Sequence, residues 1–307
     1  MKQSIKCIRD FPPTSDYKYD EDLWKRQHGD AFVIINCTAS DIYYPEHWTP
    51  LSIKCAFGGK EYYKLRNASY AVSDENFLVL NEGSEYSSYI LSENDTESLT
   101  FNFTQTNLNT LSSSRQLTDQ LLLDDPFNLK HGSTNFIQKL YAYSSSTKFL
   151  MQRIKWLCNN TQANHLAIQE SLYALLEELF NLNLLSCREA DKISARKEST
   201  RQELYKRLTI ARDYISSCYE QDISIEDLAA LCYLNPCYLL REFKKLYSVT
   251  PHQFLVNTRL QEIKRMIKET QRPITEIIQD AGFQDPASFS RLFKSRFGVT
   301  PGSYRTL

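Results

Sequence analysis

No run of about 18 apolar residues occurs in this 307-residue chain, so no segment is expected to cross a bilayer as a helix. The opening Met-Lys-Gln-Ser-Ile-Lys-Cys-Ile-Arg-Asp has no apolar stretch. No signal peptide is expected, and the expected location is the cytoplasm. The sequons Asn67-Ala-Ser and Asn102-Phe-Thr then carry no meaning. Glycine (8) and proline (10) are scarce against 42% apolar residues, which excludes a fibrous or disordered chain and leaves enough material for packed cores. Eight cysteines include no Cys-x-x-Cys pair, so reduced thiols are expected, most of them small core residues. The closest pair, Cys232 and Cys237, lacks the further ligands of a zinc site. A net charge is nearly lacking too, at −1, but it is unevenly divided. Residues 201–307 hold 16 Lys and Arg against 12 Asp and Glu, leaving 20 against 25 for residues 1–200. Any polyanion is therefore expected at the C-terminal part.

What is present is a repeat. Residues 239–251 read Leu-Leu-Arg-Glu-Phe-Lys-Lys-Leu-Tyr-Ser-Val-Thr-Pro, and residues 289–301 read Phe-Ser-Arg-Leu-Phe-Lys-Ser-Arg-Phe-Gly-Val-Thr-Pro. Each follows a short helical pattern and an Asn-Pro or Asp-Pro step, the N-cap and first-position proline of a new helix. In the first copy Ser224 and Asp227 suggest a capping box, and Ile225, Leu228, Ala229 and Cys232 form a supporting helix. Leu239, Phe243 and Leu246 face inward, while Cys237, Leu240, Arg241 and Lys244 line the opposite stripe. In the second, Ile274, Ile277, Ile278 and Ala281 support, Phe289, Phe293 and Phe297 face inward, and Ala287, Ser290, Arg291 and Lys294 line the outward stripe. Val256, Leu260, Ile263 and Ile267 mark a connecting helix.

Two such helices suit two successive major grooves. Arg donates two bonds to guanine, small Ala and Ser allow close approach, and an apolar residue can meet a thymine methyl. The expected base-facing set is Cys237, Tyr238, Leu240, Arg241, Ala287, Ser288, Ser290 and Arg291. Lys244, Lys245, Lys294, Arg296 and Arg305 are expected at phosphates, helped by free N–H groups at the helix N-termini.

Residues 205–307 resemble the DNA-binding domain of the AraC/XylS family of transcription regulators. The likeness rests on Ala281-Gly282-Phe283, on Phe289 to Lys294, and on Phe297 to Arg305. It implies seven helices, with helix-turn-helix units near 225–246 and 273–297 joined by a linker helix. Tyr233 stands where the family usually has a turn glycine, so the first unit is expected to bind less tightly or to adopt a looser turn.

Short strands are expected over 31–104, including a hairpin closed by Gly58-Gly59 between 52–57 and 60–65. With Pro45-Glu46-His47-Trp48 and the segment 74–83, this resembles the cupin-like sensor domains joined to such DNA-binding domains. The expected fold is thus α+β and multidomain: a cupin-like β-barrel over 1–130, helices over 131–186, a linker over 187–204 and an all-α domain over 205–307. The helical stripe Ile168, Leu172, Leu175, Leu176, Leu179 and Leu182 either packs on the barrel or forms a dimer interface. Metal-binding cupins carry a His-x-His pair; here Thr49 follows His47, and His28, His131, His165 and His252 are not spaced to complete a site. No metal, cofactor or catalytic residue is expected. Tyr44, His47, Trp48, Tyr62 and Tyr86 are the candidate lining of an effector pocket.

The expected function is sequence-specific transcription regulation, with activation favoured. The expected partners are double-stranded DNA, a second copy of the chain, RNA polymerase and an unidentified small effector. A regulator controlled by a protein partner through residues 1–200 is the alternative. A DNA-repair alkyltransferase is disfavoured because no cysteine has an activating neighbour in sequence.

Overall fold

The computed structural model describes residues 4–11, 21–66, 68–115, 135–160 and 164–306. Asn67, His131 and the stretch 116–134 lie outside the described residues. The chain divides into two compact units, 1–190 and 191–307, giving an α+β fold with a strand-rich first unit and an all-α second. No described helix is long and apolar enough to cross a membrane.

The first unit opens with β1 (Ile5–Ile8) and α1 (Glu21–His28), followed by β2 (Phe32–Thr49), β3 (Leu51–Phe57), β4 (Glu61–Leu65), β5 (Ala68–Val72), β6 (Asn76–Leu80) and β7 (Ser84–Phe103). Next come α2 (Gln105–Arg115), β8 (Leu140–Ala142), α3 (Ser145–Asn159) and α4 (His165–Ala190). The strands form one sheet in the order β1-β2-β7-β3-β6-β8, with β4 between β7 and β5.

Two sequence expectations change here. The separate strands read at 86–91 and 98–104 are one strand, because β7 pairs with β2 from Asn102–Val33 to Ser84–Thr49. The pairing steps from Thr96–Ala39 to Leu91–Asp41 across a register shift, so the polar residues 92–95 that looked like a break are an irregularity within one long strand. Pro45, which has no N–H, falls at a register shift between Tyr44 and His47. The Gly58-Gly59 step does not close a hairpin. β3 pairs with β6 and with residues 97–103 of β7, whereas β4 pairs with β5 and with residues 87–89 of β7. The step carries the chain from one stretch of β7 to another. A Cβ at position 59 would lie 2.0 Å from Thr96 Oγ1, so the second glycine serves a close approach to β7.

Most of the α4 stripe packs within the chain. Ile168, Leu172, Leu175, Leu176 and Leu179 are buried in one cluster with Met151, Ile154 and Leu157 of α3 and with Phe32, Ile53, Phe77 and Phe101 of the sheet. Each such buried side chain contributes about 2 kcal/mol by leaving water, while Leu182 of the stripe is only half-buried.

The second unit holds α5 (Glu198–Ser217), α6 (Ile225–Leu231), α7 (Pro236–Tyr247), α8 (Pro251–Glu269), α9 (Ile274–Asp280), α10 (Pro286–Phe297) and α11 (Pro301–Thr306). The charged stretch 187–204, read as a linker, is largely helical. α4 runs to Ala190 and α5 starts at Glu198, leaving 191–197 between them. Glu, Arg and Gln are good helix formers, and i,i+4 pairs Gln202–Glu198 and Arg207–Glu203 support this helix on its solvated face. α8 packs against α5, α7, α9 and α11 and so joins both copies of the repeat.

Candidate nucleic-acid interface

Each copy builds its outer helix in the same way. Asn235 caps α7 by accepting from Cys237 N at 3.0 Å, and Asp285 caps α10 by accepting from Ala287 N and Ser288 N, both at 3.0 Å. A bond from the Ser288 hydroxyl, then those two N–H groups, holds the Asp285 carboxyl below the usual range. These caps correct one expectation: the N–H groups at 237, 287 and 288 are already bonded to the chain's own side chains, so they are not free for phosphates.

The turns that set the helix pairs are also alike. Leu234 N donates to Ala229 O and Tyr233 N to Ala230 O; Phe283 N donates to Ile278 O and Gly282 N to Gln279 O. Both are Schellman closures, which need one residue with positive φ. Tyr233 supplies it in the first copy at φ 54° and Gly282 in the second at φ 83°. The C-caps differ likewise: Ser248 has φ 63° where Gly298 has φ 81°.

Leu239 and Phe243 of α7, and Phe289 and Phe293 of α10, are buried, leaving the opposite stripes outward. Cys237, Tyr238, Leu240, Arg241, Ala287, Ser288 and Arg291 are exposed, as are Lys244, Lys245, Lys294 and Arg296. Ser290 is half-buried and its hydroxyl donates to Pro286 O at 2.9 Å. Arg305 departs from its expected role. It is half-buried, with Nη2 donating to Arg272 O at 2.7 Å and Nε to Ile267 O at 3.4 Å, so its guanidinium closes the end of α8 instead of standing free for a phosphate.

Two residues missed in the sequence shape this surface. Glu242 on α7 is buried and its Oε1 accepts from Arg241 Nε at 2.9 Å and Lys245 Nζ at 3.0 Å. Desolvation alone would raise its pKa, but the bonds from Lys245 and Arg241 outweigh it and leave the carboxyl lowered. The Arg241 guanidinium also lies 5.1 Å from the Tyr238 ring centroid. Arg241 is thus 61% exposed yet already partnered. Comparing the copies gives the signal: Glu242 corresponds to the exposed Leu292. The second missed residue is Arg259 of α8. Its Nε donates to Tyr219 O at 2.7 Å, Nη2 to Gln221 O at 2.7 Å and Nη1 to Gly282 O at 3.0 Å. One side chain therefore ties the segment after α5 to the turn of the second copy.

In the first unit the candidate effector set is only partly gathered. His47 and Tyr86 rings lie 4.3 Å apart and Tyr44 lies 6.2 Å from His47. Trp48 points to the other face, where it packs on Trp24 at 6.5 Å, since neighbours along a strand face opposite ways. Tyr62 stacks on Tyr89 at 5.0 Å, while its neighbour Tyr63 is the one beside Tyr86, at 5.5 Å. Two charges that carry no signal in the aromatic pattern also stand in that cluster. Lys54 and Glu61 are each 4% exposed, and Lys54 Nζ donates to Tyr86 Oη at 2.7 Å. Burial pushes Lys54 down to about 8 and Glu61 up, and the attraction between the two opposes both shifts. The nearby hydroxyls of Ser98, Tyr63 and Ser88 also work against the rise of the Glu61 carboxyl, and its Oε2 is buried with no hydrogen-bond partner. Burial also drives His47 down to about 4, so it is neutral near pH 7. A lysine inside the apolar run Ser-Ile-Lys-Cys-Ala-Phe was the available signal.

Residues 228–306 match the model of a helix-turn-helix domain family. A probable transcriptional regulator, LumQ, of Photobacterium leiognathi is 30% identical over 98 residues, or 32% of this chain and 40% of that protein. An uncharacterized helix-turn-helix-type transcriptional regulator, YisR, of Bacillus subtilis is 29% identical over 161 residues, or 52% of each. The chain thus spans about half or less of the length of these relatives. A solved C-terminal domain of AraT, a response regulator from Geobacillus stearothermophilus, is 30% identical, covering 33% of this chain and 84% of that one with a TM-score of 0.31.

Proposed function

We propose that this chain, whose C-terminal segment belongs to the AraC-type helix-turn-helix family, is a sequence-specific DNA-binding transcription regulator. One observation carries the reading: two capped helices in one all-α unit present the same outward stripe fifty residues apart, each with an exposed arginine in its second turn. Arg291, with Ala287 and Ser288, reads bases from α10; Arg241, Cys237, Tyr238 and Leu240 do so from α7. Lys244, Lys294 and Arg296 neutralise phosphates, with Lys245 contributing once it leaves Glu242. Selecting bound fragments from random duplexes and sequencing them tests this. A two-part motif is expected, and Arg291→Ala should lose specificity at one position and about 1–3 kcal/mol of affinity. Recovery of unselected sequence would overturn the reading.

Residues 1–190 are proposed to bind a small polar effector at the Lys54, Glu61, Tyr86 and His47 cluster. The supporting observation is Glu61 Oε2, a buried acceptor with no partner, beside a buried ammonium. An interior that ends at a protein–protein contact has no need of either group. A thermal-shift screen with Glu61→Gln as control tests this: a ligand that binds the cluster raises the midpoint of the parent chain and not of the variant.

A further inference from the structure

Both turns of the repeat are tied from outside by an arginine. The carbonyl of Tyr233, the left-handed residue of the first turn, accepts from Arg207 Nη1 of α5 at 3.0 Å. The carbonyl of Gly282, its counterpart in the second, accepts from Arg259 Nη1 of α8 at 3.0 Å. The rest of each guanidinium is used differently. Arg207 Nε turns back to Glu203 Oε1 on its own helix at 2.8 Å, so this arginine ties the first turn to α5. Arg259 Nε and Nη2 instead reach Tyr219 O and Gln221 O, both at 2.7 Å, in the segment that leads from α5 into α6. Arg259 thus holds the entry of the first supporting helix and the exit of the second, with its Cζ 5.8 Å from the Phe283 ring centroid. It stands midway along α8. Phe254 in the first turn of that helix packs on Phe243 of α7 at 5.9 Å, and Lys268 in its last turn lies 5.2 Å from the Tyr304 ring of α11.

We propose, resting on the reading of the second unit as a paired DNA reader, that Arg259 is a positioning residue for that pair: it sets the roll of one copy against the other, and so the spacing of half-sites that the protein accepts. Apolar packing on a shared helix fixes distance more firmly than roll, because the hydrophobic effect is non-directional. Hydrogen bonds to carbonyls are directional, and a planar guanidinium presents its donors in one rigid fork. Tyr219 O and Gln221 O move with the start of α6, and Gly282 O moves with the end of α9. Three residues beyond Gly282, Asp285 caps α10. A roll of the second copy therefore breaks at least one of the three bonds. Loss of Arg259 leaves the apolar seats on α8 in place and frees the roll. Arg259 acts through α9 and α10 and touches no base itself.

The test is equilibrium binding of the full chain to its selected two-part duplex, and to duplexes with one base pair added or removed between the parts. One base pair turns one part by about 35° around the other. The parent should lose about tenfold on either change, since the short site must be twisted or bent back into register. Arg259→Lys keeps the charge but gathers its donors at one point. It should bind the selected duplex several-fold more weakly than the parent, yet lose less than about threefold on either change in spacing. Its affinity for a duplex carrying one part alone should match the parent's. Arg259→Ala should show the same flattened profile with a larger initial loss. Arg207→Ala removes a turn bond that does not join the copies, and should keep the parent's steep profile. A steep profile in both Arg259 variants overturns the proposal, as does an equal flattening in Arg207→Ala. Single-part affinity at every spacing also overturns it, because Arg259 would then hold the second copy folded instead of aimed. A parent that selects no two-part site would overturn the DNA reading and this proposal with it.

Discussion

The two copies of the repeat share caps, turns and buried faces, and differ at three positions of known physical consequence. The second copy has Gly282 and Gly298 at its left-handed residues, and α10 carries three cations and no acid. The first copy puts Tyr233 and Ser248 in those conformations, and α7 carries Glu242, which holds Arg241 and Lys245. A side chain forced to positive φ costs about 1 kcal/mol, and a partnered cation must leave one acceptor to reach another. The second copy is therefore the relaxed, ready reader and the first a strained, internally neutralised one. A repeat can keep its architecture while its halves diverge in readiness.

The largest expected effect attacks the relaxed half. A Cβ at Gly282 would lie 2.7 Å from Glu220 O and 2.8 Å from Arg259 Nη2, in a backbone conformation that also disfavours it. Gly282→Ala should destabilise the second unit by about 2–4 kcal/mol in urea unfolding. An unchanged midpoint would remove Arg259 and its three carbonyls as the fastening of that turn. Next comes DNA affinity. Arg291→Ala should cost about 1–3 kcal/mol, and Arg241→Ala less, because Arg241 gives up Glu242 on binding. A larger loss from Arg241→Ala would reverse the ranking of the two readers. Tyr233→Gly and Ser248→Gly should each add about 0.5–1 kcal/mol of stability, since glycine takes positive φ without the Cβ clash but loses more entropy on folding. If either destabilises, its side chain has a role that the backbone argument misses.

The smallest effect concerns pH. The Glu242 carboxyl is held below its ordinary value of 4.5, so its stabilisation is fully present above pH 4.5 and is lost as pH falls through the lower folded value. Its cations are half or more exposed, and solvent screening limits the term to less than about 0.5 kcal/mol. Glu242→Gln should remove that acid dependence and, by freeing Arg241 and Lys245, steepen the salt dependence of DNA binding. A variant with the parent's acid profile would show the pairing to be inert.

Legibility in the sequence followed periodicity. The repeat, its caps and its inward residues were readable because Asn-Pro, Asp-Pro and the 3.6-residue spacing are local signals; that Tyr233 takes a glycine's place was visible only through the family resemblance, and the turn there keeps the closure of Gly282 with φ 54° instead of loosening. Arg259 and Arg305 were not readable: their partners are backbone carbonyls 23 to 40 residues away, which leave no side-chain pattern. The length of β2 and β7 was hidden for the same reason. Lys54 and Glu61 were hidden differently, since a charge within an apolar run reads as a strand edge until burial is known.

The central claim is that α8 holds α7 and α10 at a fixed spacing along one duplex. Equilibrium binding to a selected two-part site, with about five base pairs inserted between the parts, tests it most directly, because half a turn moves one part to the opposite face of the helix. Affinity should fall to that of a duplex carrying a single part. Affinity equal to that of the uninterrupted site would contradict a rigid pair of readers.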